Sequence, residues 1–232
     1  MKLFKKYIKI KGENNQIISP RIKGNRFYDR SPVKIIGSNN RIEIAPENQF
    51  YKLELIINGS NNHISIGEGC WGSLKIIIDT DDTVVKIGKN CAFRGLESGL
   101  WERGSRLTIG DEVMAAKDSR KYVSDFHAIV DLESGNAINP GSHITVGNHV
   151  WIGERVMILK NNTVADDIII AAGAIVTKDL SESHSIYAGN PAHKVKSGVT
   201  WHEEKYDVYQ SKRRSEERRV GKECRSRWSP YH

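Results

Sequence analysis

From residue 144 the chain falls into consecutive six-residue units: ITVGNH, VWIGER, VMILKN, NTVADD, IIIAAG and AIVTKD. The third position of each is aliphatic, namely Val146, Ile152, Ile158, Val164, Ile170 and Val176. A spacing of six fits neither the period of a helix nor the alternation of a simple strand, and a fixed period marks a repeat architecture. The residues that follow, Gly147, Gly153, Leu159, Ala165, Ala171 and Thr177, are mostly small, as a tight backbone corner requires. A short strand and a turn every six residues draw one side of a triangular prism, and three such units complete a coil. One aliphatic residue per side then points inward and stacks on its counterpart in the next coil.

The first half carries a looser version of the same plan. Gly37-Ser-Asn-Asn-Arg-Ile-Glu-Ile44 and Gly59-Ser-Asn-Asn-His-Ile-Ser-Ile66 are near copies, echoed earlier by Gly12-Glu-Asn-Asn-Gln-Ile17. The steps from Ile44 to Ile66, Ile87 and Ile109 are 22, 21 and 22 residues, one coil plus a few turn residues. Asn and Gly at the corners accept positive φ. The expected fold is all-β, a triangular solenoid of parallel strands from near residue 8 to about 180, with one inserted loop at 130–143. The solenoid domain is placed at 1–200, with Ile186 to Ala188 as a last strand and Gly189-Asn190-Pro191-Ala192 as a turn. A short C-terminal cap follows at 201–213, with Trp201 to Gln210 as a helix or extension.

Residues 214–232 resemble a translated DNA-sequencing adapter, which implies a non-native, disordered tail. Dense charge without a hydrophobic period cannot join a packed core. The tail supplies +3 of the formal net charge of +7, so the remainder is only mildly basic and no nucleic-acid partner is expected. The lysines Lys2, Lys5, Lys6, Lys9 and Lys11 read as the solvated rim of the first coil, or as a face toward acidic glycan or a membrane surface. No apolar run is long enough for a signal peptide or membrane span, so a cytoplasmic location is expected, extending to a peripheral place on the inner membrane face. Cys70, Cys91 and Cys224 are widely separated and odd in number, against a disulfide framework or a CxxC metal site.

Several motifs together, in this order and spacing, resemble the hexapeptide-repeat acyltransferases, and within them the sugar and capsular-polysaccharide O-acetyltransferases, the polysialic-acid enzymes included. They are Ser124-Asp125-Phe126-His127-Ala128-Ile129, Ile138-Asn139-Pro140, His149-Val150-Trp151-Ile152-Gly153, Ala172-Gly173-Ala174-Ile175-Val176-Thr177-Lys178-Asp179 and Ala188-Gly189-Asn190-Pro191-Ala192. The resemblance is closest over 124–201. It implies a left-handed β-helix, an exception to the right-handed crossover rule, and a homotrimer with active sites in grooves between prisms. It also implies acetyl-CoA as donor and a hydroxyl of a bacterial surface glycan as acceptor, with no metal.

On that resemblance His127 is the general base, since neutral imidazole can take the alcohol proton as the oxygen attacks a thioester. Asp125, two residues away and on the same face of an extended chain, is a candidate to orient the ring. Trp151 matches a tryptophan that positions donor or acceptor in the polysialate enzymes, and a nearby backbone N–H could stabilise the oxyanion. The pantetheine arm is expected along the turns at Gly153, Ala171, Ala172 and Gly173 and beside Asn190. Lys178, Lys194 and Lys196 are the candidate phosphate contacts. The family often has Ser-His-Pro around the base where this chain has Phe126-His127-Ala128, which alters the wall of the acceptor pocket.

Three other readings compete. A zinc enzyme on this fold would need clustered histidines, but His143 and His149 are six apart and fall on successive sides. A noncatalytic scaffold would not need the motifs at these spacings. N-acetylation of an amino sugar shares fold and donor and differs only in acceptor.

Overall fold

The computed structural model describes residues 8–19 and 32–226, with side chains as far as residue 216 in the final helix. Lys2, Lys5 and Lys6 lie outside the described residues; Lys9 and Lys11 are exposed on the first strand. The chain divides into two units, Met1–Thr200 and Trp201–His232. The first is a left-handed parallel β-helix of about seven turns.

One side of the prism is a sheet of seven parallel strands: Gln16–Ile18, Arg41–Ile44, His63–Ile66, Val84–Ile87, Arg106–Ile109, His143–Val146 and Asn162–Val164. Its register stacks Ile44, Ile66, Ile87, Ile109, Val146 and Val164 in one inward column. Each of these is buried, as are Ile152, Ile158, Ile170 and Val176 on the other sides. Burying a side chain of this size contributes roughly 1.5–3 kcal/mol, so the column is a main source of stability. The longer strands place two residues inward rather than one, for example Ile42 with Ile44 and Leu107 with Ile109.

The second side holds Met114–Ala115, Trp151–Ile152, Ile168–Ile170 and Ser185–Ala188, and the third Arg120–Tyr122, Met157–Leu159 and Ile175–Val176. In the earlier coils these two sides merge. Gln49–Asn58, Trp71–Ile78 and Ala92–Leu100 each run through the corner as one long strand. The last of them pairs with both Met114–Ala115 and Arg120–Tyr122. Register slips at Phe50/Lys52 and Ser73/Leu74 absorb the bend. At Gly72, φ is 115° and a Cβ would meet Phe93 O at 1.8 Å, so only glycine fits there. This continuous corner accounts for the coil length near 22 in the first half against 18 later.

The near-copy GSNN segments form another edge. Asn39 and Asn61 both adopt φ 59°, and their amides form a ladder from Asn14 through Asn39 and Asn61 to Asp82. Asn40 and Asn62 turn inward, each satisfying backbone groups of neighbouring coils, so these buried amides carry their own partners.

One coil departs from the apolar interior. Lys121 is fully buried, in register with Ser98 below and Ile158 above, and its Nζ meets no hydrogen-bond partner among the described residues. Burial pushes its amine down to about 7.

Two features at the C-terminal end differ from expectation. Ile186 to Ala188 is not the last strand, because His193–Ser197 follows the turn as a further strand and pairs antiparallel with Ser185–Ala188. The charge-dense run from 214, expected to be disordered, is helical as far as Ser226 within the helix Tyr206–Ser226. Residues rich in Glu, Lys and Arg have high helix propensity even when they offer no apolar face for a core. Residues 227–232 of that expected tail lie outside the described residues. Among the described residues no helix is long and apolar enough to cross a membrane.

Candidate active site

The column step from Ile109 to Val146 spans 37 residues because a loop leaves the prism after the strand Arg120–Tyr122 and returns before His143–Val146. It is wider than the expected 130–143 and begins at Ser124. The outer part is a hairpin, with a Val130–Ala137 bridge and a turn in which Asp131 accepts from Ser134 N and Oγ. At its base a side chain on Gly141 would strike Val123 O at 2.0 Å, so the two ends of the loop are pinched together.

His127 lies on the outgoing arm with its side chain exposed, its ring 6.4 Å from that of Phe126. Asn139 on the returning arm fixes this segment. Its Nδ2 donates to His127 O at 2.9 Å and to Asp125 Oδ2 at 2.8 Å, and its Oδ1 accepts from Ile129 N at 2.7 Å. Lys160, in the next coil, donates to Asn139 O and pairs with Asp125 Oδ2 at 2.5 Å. The Lys160 ammonium, followed by the Asn139 amide, holds the Asp125 carboxyl below its ordinary value. Asp125, the candidate to orient the ring, makes its contacts with Lys160 and Asn139 and so anchors the loop that carries His127.

Beside this anchor is a hollow of about 490 Å³ lined by Glu97, Trp101, Tyr122, Ser124, Asp125, Phe126 and Leu159. The Trp101 ring lies 4.2 Å from Phe126 and 5.3 Å from Tyr122 between centroids. A Cβ on Gly99 would meet the Trp101 ring at 2.0 Å, so that glycine makes room for the indole. Phe126 has φ 67°, the one hydrophobic residue with positive φ among the described non-glycine residues. A bulky residue rarely takes that conformation, and here Ser124 Oγ holds it by accepting from Phe126 N at 2.9 Å while donating to Glu102 at 2.7 Å.

Trp151 opens the second side, half-exposed and in register with Met114 and Ile169. Between it and the His127 loop runs the whole first side, His143–Val146, so the two residues belong to different edges of the prism. The cofactor candidates gather on yet another edge, between the second and third sides. There Gly153 N donates to Ile170 O, Ala171 N to Tyr187 O and Gly173 N to Glu154 O, and Asn190 follows in the turn above. A side chain on Gly153 would meet Ala172 N at 2.6 Å, so its smallness is required by coil stacking. Gly173, at φ 73°, faces open space and Ala172 is exposed. Lys178 sits on the edge after the third side, away from this group. Lys194 is paired with Glu182, and Lys196 is exposed on the antiparallel end strand. Among the described residues no group of three or more His, Cys, Asp or Glu could hold a metal ion.

Asn139 belongs to the Ile138-Asn139-Pro140 motif, but its bonding is not legible in the sequence, and no local pattern singles out Lys160, Trp101 or Glu97. Trp101 follows Leu100, which pairs with Ile78 and through it with Ile57, so the indole occupies the corner held by Asp79 and Asn58 in the coils below. That oddity emerges only once the register is known.

The chain is a β-solenoid, and its structural neighbours are hexapeptide-repeat acetyltransferases. The structure is similar to that of the polySia-specific acetyltransferase NeuO, with a TM-score of 0.78 and 28% sequence identity, over 86% of this chain and 83% of that one. It is also similar in fold to the polysialic acid O-acetyltransferase OatWY, with a TM-score of 0.51 and 23% identity, over 74% of this chain and 92% of that one. No protein-family model and no curated protein matches the sequence.

Proposed function

We propose that the protein transfers an acetyl group from acetyl-CoA to a hydroxyl of a bacterial surface glycan, with His127 as general base. The observation that carries this is the exposed imidazole on a loop clamped by Asn139 and Lys160, in a fold similar over most of its length to an acetyltransferase. In this reading His127 accepts the proton of the acceptor hydroxyl as its oxygen attacks the thioester carbonyl. The ester C–O bond forms, the C–S bond breaks, and the proton passes from His127 to the departing thiolate of CoA. Asp125 and Asn139 act as positioning residues, because they fix the backbone that carries the ring.

The residues at the second edge suit the donor. Exposed Ala172 and open Gly173 leave backbone groups approachable by an extended pantetheine arm, with Asn190 and Lys196 beyond them. Gly153 serves by stacking. Lys178 and Lys194 are weaker phosphate contacts in this reading, the first by its position and the second because Glu182 already neutralises it. His127 and Trp151 lie on different edges of one prism, so a site that uses both takes them from neighbouring chains, as a homotrimer with threefold packing allows. The cytoplasm, where acetyl-CoA is made available, is the proposed location, with peripheral contact to the inner membrane face where surface glycans are assembled.

The test is release of free thiol from acetyl-CoA, with and without glycan acceptors, for the native protein and His127→Ala. Acceptor-dependent release that the variant loses supports the proposal; release that the variant retains contradicts it. Amino-sugar acceptors in the same assay discriminate N-acetylation, which requires transfer to the amine.

A further inference from the structure

Resting on the acyltransferase reading, we infer that Glu102 is a positioning residue for His127, acting through Ser124 and the backbone of Phe126. The proposed base follows directly on a residue in an uncommon conformation. Phe126 has φ 67°, and a phenylalanine takes the left-handed region only where its surroundings impose it. That bend sets the direction in which the chain enters His127, so whatever holds the bend aims the ring. A side chain from the coil below does the holding.

Glu102 lies in the turn that leads into Arg106–Ile109, 22 residues before Ser124, and its own carbonyl accepts from Ser105 N at 3.1 Å. Its Oε1 accepts from Ser124 Oγ at 2.7 Å, and Ser124 Oγ accepts in turn from Phe126 N at 2.9 Å. The chemistry of the groups fixes this order. A carboxylate can only accept, so the hydroxyl hydrogen points to Glu102 and the Ser124 lone pairs are left for the Phe126 N–H. Ser124 is buried, so water competes little for either bond. Glu102 also meets the other arm of the loop, since a Cβ on Gly141 would strike its Cγ at 2.9 Å. One side chain therefore holds the outgoing arm through its carboxylate and lies against the returning arm with its stem. The tie from Lys160 to Asp125 comes from the opposite direction, the coil above, and shares no atom with this one. Glu102 does not line the hollow beside the loop, so it acts through Ser124 rather than by touching an acceptor.

The experiment measures steady-state turnover and amide hydrogen exchange of the segment 124–128 by mass spectrometry. It uses the full chain as the native protein, Glu102→Ala, Glu102→Gln, Ser124→Ala and the double alanine variant, with thermal unfolding as a control. Glu102→Ala should lower kcat by about 10–100-fold, leave KM for acetyl-CoA within about twofold, and speed exchange in the segment without shifting the melting temperature. Glu102→Gln, whose amide oxygen still accepts from Ser124, should recover most of both effects. The double variant should be no slower than Ser124→Ala, because both substitutions cut one chain of bonds. Unchanged kcat in Glu102→Ala, a loss confined to KM, a Gln variant as impaired as the Ala variant, losses that multiply in the double variant, or a melting temperature that falls in step with kcat would each overturn the inference. If the native chain releases no thiol from acetyl-CoA, the acyltransferase reading fails instead, and exchange in 124–128 still decides whether Glu102 holds the bend.

Discussion

The ammonium of Lys160 lies 2.5 Å from Oδ2 of Asp125, joining the start of the His127 loop to the coil above it. Lys160 is mostly buried while Asp125 is half-exposed, so the tie is anchored in the prism and reaches outward to the loop. Removing it with Lys160→Met should leave the solenoid folded and lower kcat by about 10–100-fold, the scale of a misplaced catalytic group. Turnover measured alongside thermal unfolding checks this. Equal loss of both would show the residue to be merely structural.

The same tie has a pH signature. Asp125 is held below its ordinary value, so its ionised form is favoured by folding, and the contribution stands at neutral pH and is lost as pH falls through the lowered value. Amide exchange in the loop at 127–139 should therefore stay slow through mild acid. In Asp125→Asn it should be fast at every pH.

Lys121 predicts the opposite sign. Its amine is pushed down to about 7 from 10.5, so the unfolded chain binds more protons between those values. The penalty is fully present below about 7, and stability rises as pH climbs toward 10.5. Lys121→Met removes the buried amine and should stabilise the protein at neutral pH by on the order of 1–3 kcal/mol, with a flatter dependence on pH. Denaturant unfolding at pH 7 and pH 10 reads both effects.

Gly153→Ala tests the stacking role of that residue. The added methyl would sit 2.6 Å from Ala172 N and 2.8 Å from Ile170 O, both backbone atoms that cannot move independently. A loss of about 1–3 kcal/mol is expected from the overpacked corner, measured by thermal unfolding. An unchanged melting temperature would return Gly153 to a purely ligand-binding role.

The hexads of the second half were legible because every inward position coincides with a fixed count of residues, and Val146, Ile152, Ile158, Val164, Ile170 and Val176 are all buried as that count requires. The first half was legible as a coil but not as three sides. The corner bends within a single strand, and a lone glycine such as Gly72 or Gly95 marks it rather than a run of turn residues. His127 stood out through a motif, whereas its supports did not. Lys160 and Trp101 come near the loop only through register between coils more than 20 residues apart, a relation no local pattern encodes. Lys121 was hidden because a single lysine among alternating residues reads as solvent-facing.

The composite site is tested most directly by mixing two inactive variants, His127→Ala and Trp151→Ala, co-refolded or co-expressed so that subunits exchange. If base and tryptophan come from neighbouring chains, random trimers regenerate about one quarter of the native sites, and acceptor-dependent release of CoA should recover to about that fraction. Activity no greater than that of the two variants apart would contradict the account.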